Sequence, residues 1–336
     1  MAGRIVVAFD KFRGSATSQE LLTAVSGALE PLGCEVDGVL LADGGEGSLD
    51  VLGGANKRTV VTDPLGDAVE AAWRLDGQTA FIEMAAASGL AVVGGAEEND
   101  AVTADTCGTG ELISHAIELG ARTVYVLLGG SATTDGGFGA LRAMPPAGRL
   151  KEIEIVVACD VETGFVDAAK VFGPQKGASV AQVKLLTRRL ERLVQVYRDE
   201  YGVDVSQLRG AGAAGGLAGG LVAVGARIES GFDVLAEAAC LDQRLVGADL
   251  VITGEGLLDD ESFNGKVVGG VASWAAAEGV PVLAVVGSAC DGVALPSNVR
   301  LVSLSERFGE DASWGCPLDL AGQVAAEAVR SLGLVD

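Results

Sequence analysis

The sequence predicts an α/β protein made of two α/β domains, and three observations predict it. Short apolar, β-branched runs recur along the chain, and each ends on glycine, acid or lysine before a stretch that reads as helix. The composition suits layers packed from small aliphatic side chains, with 49% hydrophobic residues and 49 glycines but only 4% aromatic residues. A chain of 336 residues is long for one core and comfortable for two.

Charge and cysteine usage narrow the function classes. A formal charge of −22 argues against nucleic acid or an anionic membrane as partner. Six separated cysteines (Cys34, Cys107, Cys159, Cys240, Cys290 and Cys316) form no Cys-x-x-Cys pair, so a reduced cytoplasmic protein without disulfides or a zinc knuckle is expected. The first strand begins within a few residues of Met1, and no signal peptide is expected. Residues 210–226 form the longest uncharged run, too short and glycine-rich for a membrane span and better read as a buried helix. The lone histidine, His115, makes histidine-based metal sites and proton relays very unfavourable readings. There is neither a Gly-x-x-x-x-Gly-Lys-Ser/Thr loop nor a protein-kinase His-Arg-Asp or Asp-Phe-Gly set.

In chain order, a strand at residues 4–9 ends on Asp10-Lys11-Phe12-Arg13-Gly14-Ser15, and Ser18 reads as the N-cap of the next helix. Asp10 is a plain loop carboxylate on one reading. On the other, an acid, two bases and a Gly-Ser in one turn suit an anionic substrate and a metal. A second strand, residues 36–41, ends on Asp43-Gly44-Gly45-Glu46, carboxylates that are either solvated or placed to hold a cation or orient a hydroxyl. From Arg58 the rhythm changes to an antiparallel meander over residues 58–62, 68–75 and 79–84, which sets a domain boundary there. Gly108-Thr109-Gly110-Glu111 then opens a helix over residues 112–119.

The strand at residues 123–128 feeds Gly129-Gly130-Ser131-Ala132-Thr133-Thr134-Asp135-Gly136-Gly137 and then a helix. Glycines that let backbone approach a ligand, free amides, hydroxyls and one carboxylate at a helix start are what a phosphate with its magnesium requires. A tight turn whose hydroxyls cap the helix is the plainer alternative. A strand over residues 153–158 follows, then Gly173-Pro174-Gln175-Lys176-Gly177, with a lysine that is solvated or meets an anion, and then a long amphipathic helix. Gly210-Ala211-Gly212-Ala213-Ala214-Gly215 has the bare dinucleotide pattern, but no buried strand precedes it, so it reads as a close-packed helix entrance. Residues 249–253 form a strand ending on Gly254-Glu255-Gly256, with Asp259 and Lys266 before a helix. Strands at residues 280–286 and 299–304 and a helix at residues 320–332 complete the chain. Polar chemistry thus gathers at strand carboxyl ends, and the residues alone imply magnesium–phosphate chemistry on a small substrate, between two α/β domains.

The motifs named above, together with Glu83-Met84-Ala85-Ala86-Ala87-Ser88-Gly89-Leu90, occur in the order seen in bacterial glycerate kinases of the glycerate 2-kinase type, and the chain resembles that family over nearly its whole length. The resemblance implies a Rossmann-like three-layer domain built from both chain ends, residues 1–58 and 241–336, with an inserted α/β domain at 59–240. It implies a cytoplasmic enzyme, monomer or homodimer, that moves the ATP γ-phosphate to D-glycerate with Mg2+. The product implied is 2-phosphoglycerate ahead of 3-phosphoglycerate, with the site in the cleft between the domains. An NAD-dependent hydroxyacid oxidoreductase, resting on Gly210, Gly212 and Gly215, and a relative that only binds ligand are the alternatives. The chain departs from the family at Leu257, where a basic residue is usual, at Thr134 for Asn, at Asn264 for His, and after Met144, where it looks shorter.

Phosphoryl transfer needs positioning, charge neutralisation and a group near the attacking hydroxyl. On that basis Asp10, Asp135 and Lys266 are the expected catalytic residues. Lys11, Arg13, Ser15, Asp43 and Glu46 are expected to bind substrate. ATP phosphates fall to Gly129, Gly130, Ser131, Thr133, Gly173 and Lys176, and the metal to Asp135, Glu255 and Asp259.

Overall fold

The computed structural model describes residues 3–12, 14–42, 44–45, 47–263 and 266–335. The chain has a mixed α/β fold and divides into two compact units, residues 1–43 with 232–336, and residues 44–231.

The first unit is a five-stranded parallel sheet in the order Val299–Ser303, Val282–Val286, Leu250–Gly254, Arg4–Phe9, Glu35–Gly38. Alternate side chains of the three central strands enter opposite cores, which is why those strands read as unbroken apolar runs. Ile5, Val7, Ile252 and Val285 pack under the helices Ser18–Leu29 and Pro317–Ser331. Val6, Ala8, Val251 and Val282 pack under Gly231–Ala238, Leu241–Leu245 and Val267–Ala277. The order, 2-1-3-4-5 along these strands, reverses between Arg4–Phe9 and Leu250–Gly254. Doubly wound sheets bind ligands at that reversal, beyond the strand carboxyl ends.

The second unit is a six-stranded mixed sheet running Lys57–Thr62, Ala68–Asp76, Thr79–Glu83, Thr123–Leu127, Glu154–Ala158, Arg227–Glu229. Its first three strands are the expected antiparallel meander, and from Thr79–Glu83 onward the pairing is parallel. Trp73, Ile82, Leu112, Val126 and Leu217 fill one core, and Phe165, Leu186, Leu190 and Tyr197 fill another beneath the helix Val180–Tyr201.

Three expectations need correction. The domain limits drawn at 58 and 240 fall at 43 and 231 instead. Residues 44–58 join the second unit because the Leu49 N–H donates to the Glu83 carboxylate (2.8 Å), and Asn56 pairs with Leu75. The helix Gly231–Ala238 joins the first because Phe232 and Ala236 lie in its core. Thr17, not Ser18, caps the first helix, since its hydroxyl accepts the Glu20 N–H while Glu20 accepts the Thr17 N–H. Gly108 and Gly110 lie inside the helix Cys107–Glu118 rather than before it; a Cβ on either would meet the Thr62 or Ala140 carbonyl oxygen, at 1.9 and 2.3 Å.

Candidate active site

In the first unit, the turn after Arg4–Phe9 and the segment after Leu250–Gly254 come together at the sheet reversal. The Asp10 N–H donates to the Gly254 carbonyl (2.9 Å), so Asp10 and Glu255 leave the sheet side by side. They line a cavity of about 750 Å³ with Lys11, Ser15, Asp259 and Lys266. Six of the expected site residues therefore share one chamber. Ser288, Ser305, Glu310, Asp311 and Trp314 also line it, and none of them is among the site residues the sequence predicts. Gly287-Ser288 was visible as a strand end, whereas Trp314 lies on a short helix, Glu310–Gly315, that carries no strong periodic signal.

The carboxylates are held differently. Asp259 closes a turn with Ser262, accepting its N–H (3.1 Å), and lies 3.8 Å from the Lys266 ammonium. Glu255 is buried at 7% exposure, and its Oε1 has no hydrogen-bond partner among the described residues. Burial pushes its carboxyl up to about 7, with Asp10 and Asp259 adding to the rise and Ser262 and the Lys266 charge opposing it. Its Oε1 is open to a cation. No group of three or more His, Cys, Asp or Glu side chains with metal-binding geometry occurs among the described residues. Magnesium needs no such cage, because it keeps waters and substrate phosphates and uses one or two carboxylates. Glu255 with Asp259 fits that mode.

In the second unit, Gly129, Gly130 and Ser131 line a smaller cavity of about 360 Å³, with Asp160, Gln175 and Lys176. Among the described residues the N–H groups of Gly129, Gly130 and Ser131 meet no acceptor, while Gly130 O and the Ala132 N–H tie the loop to Leu90 and Ser88. The loop is fixed and its amides remain available, the condition for an oxyanion site.

The other residues assigned to this loop are braces. Lys176 is 2% exposed, so it is neither a solvated cation nor a surface one, and its Nζ donates to the Thr133 carbonyl (2.6 Å). Burial pulls that ammonium down to about 7, against the attraction of Asp135. Asp135 Oδ2 accepts from the Thr106 N–H and hydroxyl and the Gly139 N–H (3.1, 2.8 and 2.9 Å), and Oδ1 from the Gly137 N–H (3.1 Å). Those bonds pull its pKa down against a larger rise from burial. This geometry commits Asp135 to holding the helix start Phe138–Ala143 and leaves it poorly placed for a metal. Thr133 is fully buried, and Gly173 is a packing glycine with the Ala169 carbonyl 2.3 Å from where its Cβ would stand. Arg13, Asp43 and Glu46 lie outside the described residues.

The dinucleotide-like glycines also serve packing. Gly215 has φ +69° and would place a Cβ 1.9 Å from the Thr133 carbonyl oxygen, so the kinked helix Ala213–Ala223 backs directly onto the glycine loop. The preceding segment is the short helical turn Val205–Gln207, not a strand, and this removes the structural context of an NAD site.

The model of the glycerate kinase family matches residues 5–147 and 146–307 of this chain. Glycerate 2-kinase of Escherichia coli K12 is 38% identical over 330 residues, covering 86% of each chain. A glycerate kinase of Bacillus cereus is 37% identical over 326 residues, covering 85% of each. A crystal structure assigned as glycerate kinase 2 from Salmonella typhimurium LT2 superposes with a TM-score of 0.83 at 33% identity, covering 99% of this chain and 100% of that one. No helix among the described residues is long and apolar enough to cross a membrane.

Proposed function

Because the chain belongs to the glycerate kinase family, we propose that this glycerate-phosphorylating enzyme takes the γ-phosphate of ATP, with Mg2+, and places it on the 2-hydroxyl of D-glycerate. The observation that carries the reading is the chamber at the sheet reversal of the first unit, where Asp10, Lys11, Glu255, Asp259 and Lys266 converge and the buried Glu255 Oε1 has no partner among the described residues.

In the proposed reaction a glycerate hydroxyl oxygen attacks the γ-phosphorus, the new P–O bond forms as the bond to the β–γ bridging oxygen breaks, and ADP leaves with that electron pair. Asp10 orients the hydroxyl and takes its proton. Lys11 and Lys266 neutralise phosphate and carboxylate oxygens, and Ser15 offers a hydroxyl to glycerate. Bound through Glu255 and Asp259, magnesium would supply charge to the phosphate oxygens. Glu255 must be ionised for that, so in the ligand-free protein its readiness rises through about pH 7. The loop at residues 129–131 offers its amides to an oxyanion of the reactants, with Lys176 and Asp135 holding its shape. A cytoplasmic setting, expected from the unpaired cysteines, belongs to the same proposal.

ADP release in a coupled assay tests this. Turnover should require D-glycerate, ATP and Mg2+ together. ADP release no faster with D-glycerate than without it, from folded protein, would overturn the assignment.

A further inference from the structure

Two large apolar side chains stay in water at the wall of the first unit's chamber, Trp314 at 67% exposure and Leu257 at 51%. Single exposed hydrophobic residues are ordinary; two lining one polar cavity are not. Trp314 is also held in place. Ser313, next to it, is buried and donates its hydroxyl to the Gly287 carbonyl at the end of Val282–Val286 (2.8 Å). The indole edge lies over Gly14, where φ is +83° and a Cβ would come within 3.4 Å of the ring.

The chamber therefore has two characters. Lys11, Lys266 and Glu255 offer charge, and Trp314 and Leu257 offer apolar surface. Its volume of about 750 Å³ lies in the ~300–1,000 Å³ range of pockets that enclose drug-sized ligands, far more than a three-carbon acid fills. A molecule with a polyanionic end and a flat aromatic end fits both. We propose that Trp314 is the stacking platform for the purine base of the nucleotide, with Leu257 completing the apolar wall. The inference rests on the reading that ATP is the phosphate donor.

The test has two arms. Titrating Mg-ADP into the full chain should quench tryptophan emission saturably, and the quench should vanish in Trp314→Phe, since Trp73 is buried and Trp274 is bonded to Asp233. No quench in the parent overturns the proposal whether or not the enzyme turns over. In kinetics, Trp314→Ala should raise the ATP KM about ten-fold, the scale of one lost base–aromatic stack. Its D-glycerate KM and its inhibition by magnesium tripolyphosphate, which has no base, should not change, and Trp314→Phe should keep most of the ATP affinity. An unchanged ATP KM in Trp314→Ala, or equal weakening toward tripolyphosphate, overturns the base platform while leaving the kinase reading intact.

Discussion

Replacing Lys176 with Met keeps the apolar stem and removes the ammonium that holds the glycine loop through the Thr133 carbonyl. Two effects oppose each other. The carbonyl loses its donor, a cost of about 1–3 kcal/mol for a buried group. The cost of burying a charge also disappears, and that cost depends on pH. The Lys176 pKa is depressed from 10.5 to about 7, so between those values the unfolded chain holds a proton that the folded one releases. Parent stability therefore rises with pH across this window, while the variant lacks this dependence. From pH 7 to pH 9 the parent should gain about 2 kcal/mol on Lys176→Met, from the 1.36 kcal/mol per pH unit of one proton, reduced where the folded form is still half-charged. Hydrogen exchange in the strand Thr123–Leu127, compared between the two proteins at each pH under mild urea, reads the second unit. Parallel profiles from pH 7 to 9 would refute the buried, depressed ammonium. Turnover should fall at least ten-fold in Lys176→Met as the loop loses its brace.

Glu255→Gln should cut turnover by about a hundred-fold or more, because it removes the charge proposed to hold the metal; near-normal rates in the steady-state assay would exclude that role. Since the folded Glu255 holds its proton up to about 7, the parent loses stability as pH rises from 4.5 through 7, and by pH 8 urea unfolding should show Glu255→Gln more stable by about 1–3 kcal/mol. Asp135→Asn should destabilise the protein by about 1–3 kcal/mol, because an amide nitrogen cannot accept the N–H and hydroxyl bonds that the carboxylate accepts; an unchanged urea midpoint would contradict the bracing role. Chelating magnesium with EDTA should abolish turnover and added Mg2+ should restore it, and activity that survives chelation would remove the metal from the account.

The chemistry at strand ends was legible in sequence because a parallel strand buried on both faces is an unbroken apolar run, so whatever follows it must lie at the sheet's carboxyl edge. Asp10, Lys11, Glu255 and Lys266 were found that way, and the structure gathers them in one chamber. Lys176 and Asp135 misled for one shared reason. A polar residue in a glycine-rich turn looks solvent-facing until the element covering it is known, and Lys176 lies 43 residues from its partner Thr133. The glycines of residues 210–215 were readable as packing glycines from the missing strand alone, though their partner, the Thr133 carbonyl, was not. The change of strand rhythm near Arg58 does not coincide with the unit limits at 43 and 231. Contacts set them instead, and the pairing of Leu49 with Glu83 has no local signature.

The central claim, transfer of phosphate from ATP to the 2-hydroxyl of D-glycerate, is tested most directly by proton-coupled ³¹P NMR of the reaction mixture. A new phosphomonoester signal split into a doublet by the single hydrogen on C2 is the predicted result. A triplet from the two C3 hydrogens would move the transfer to the other hydroxyl, and inorganic phosphate alone would contradict the account.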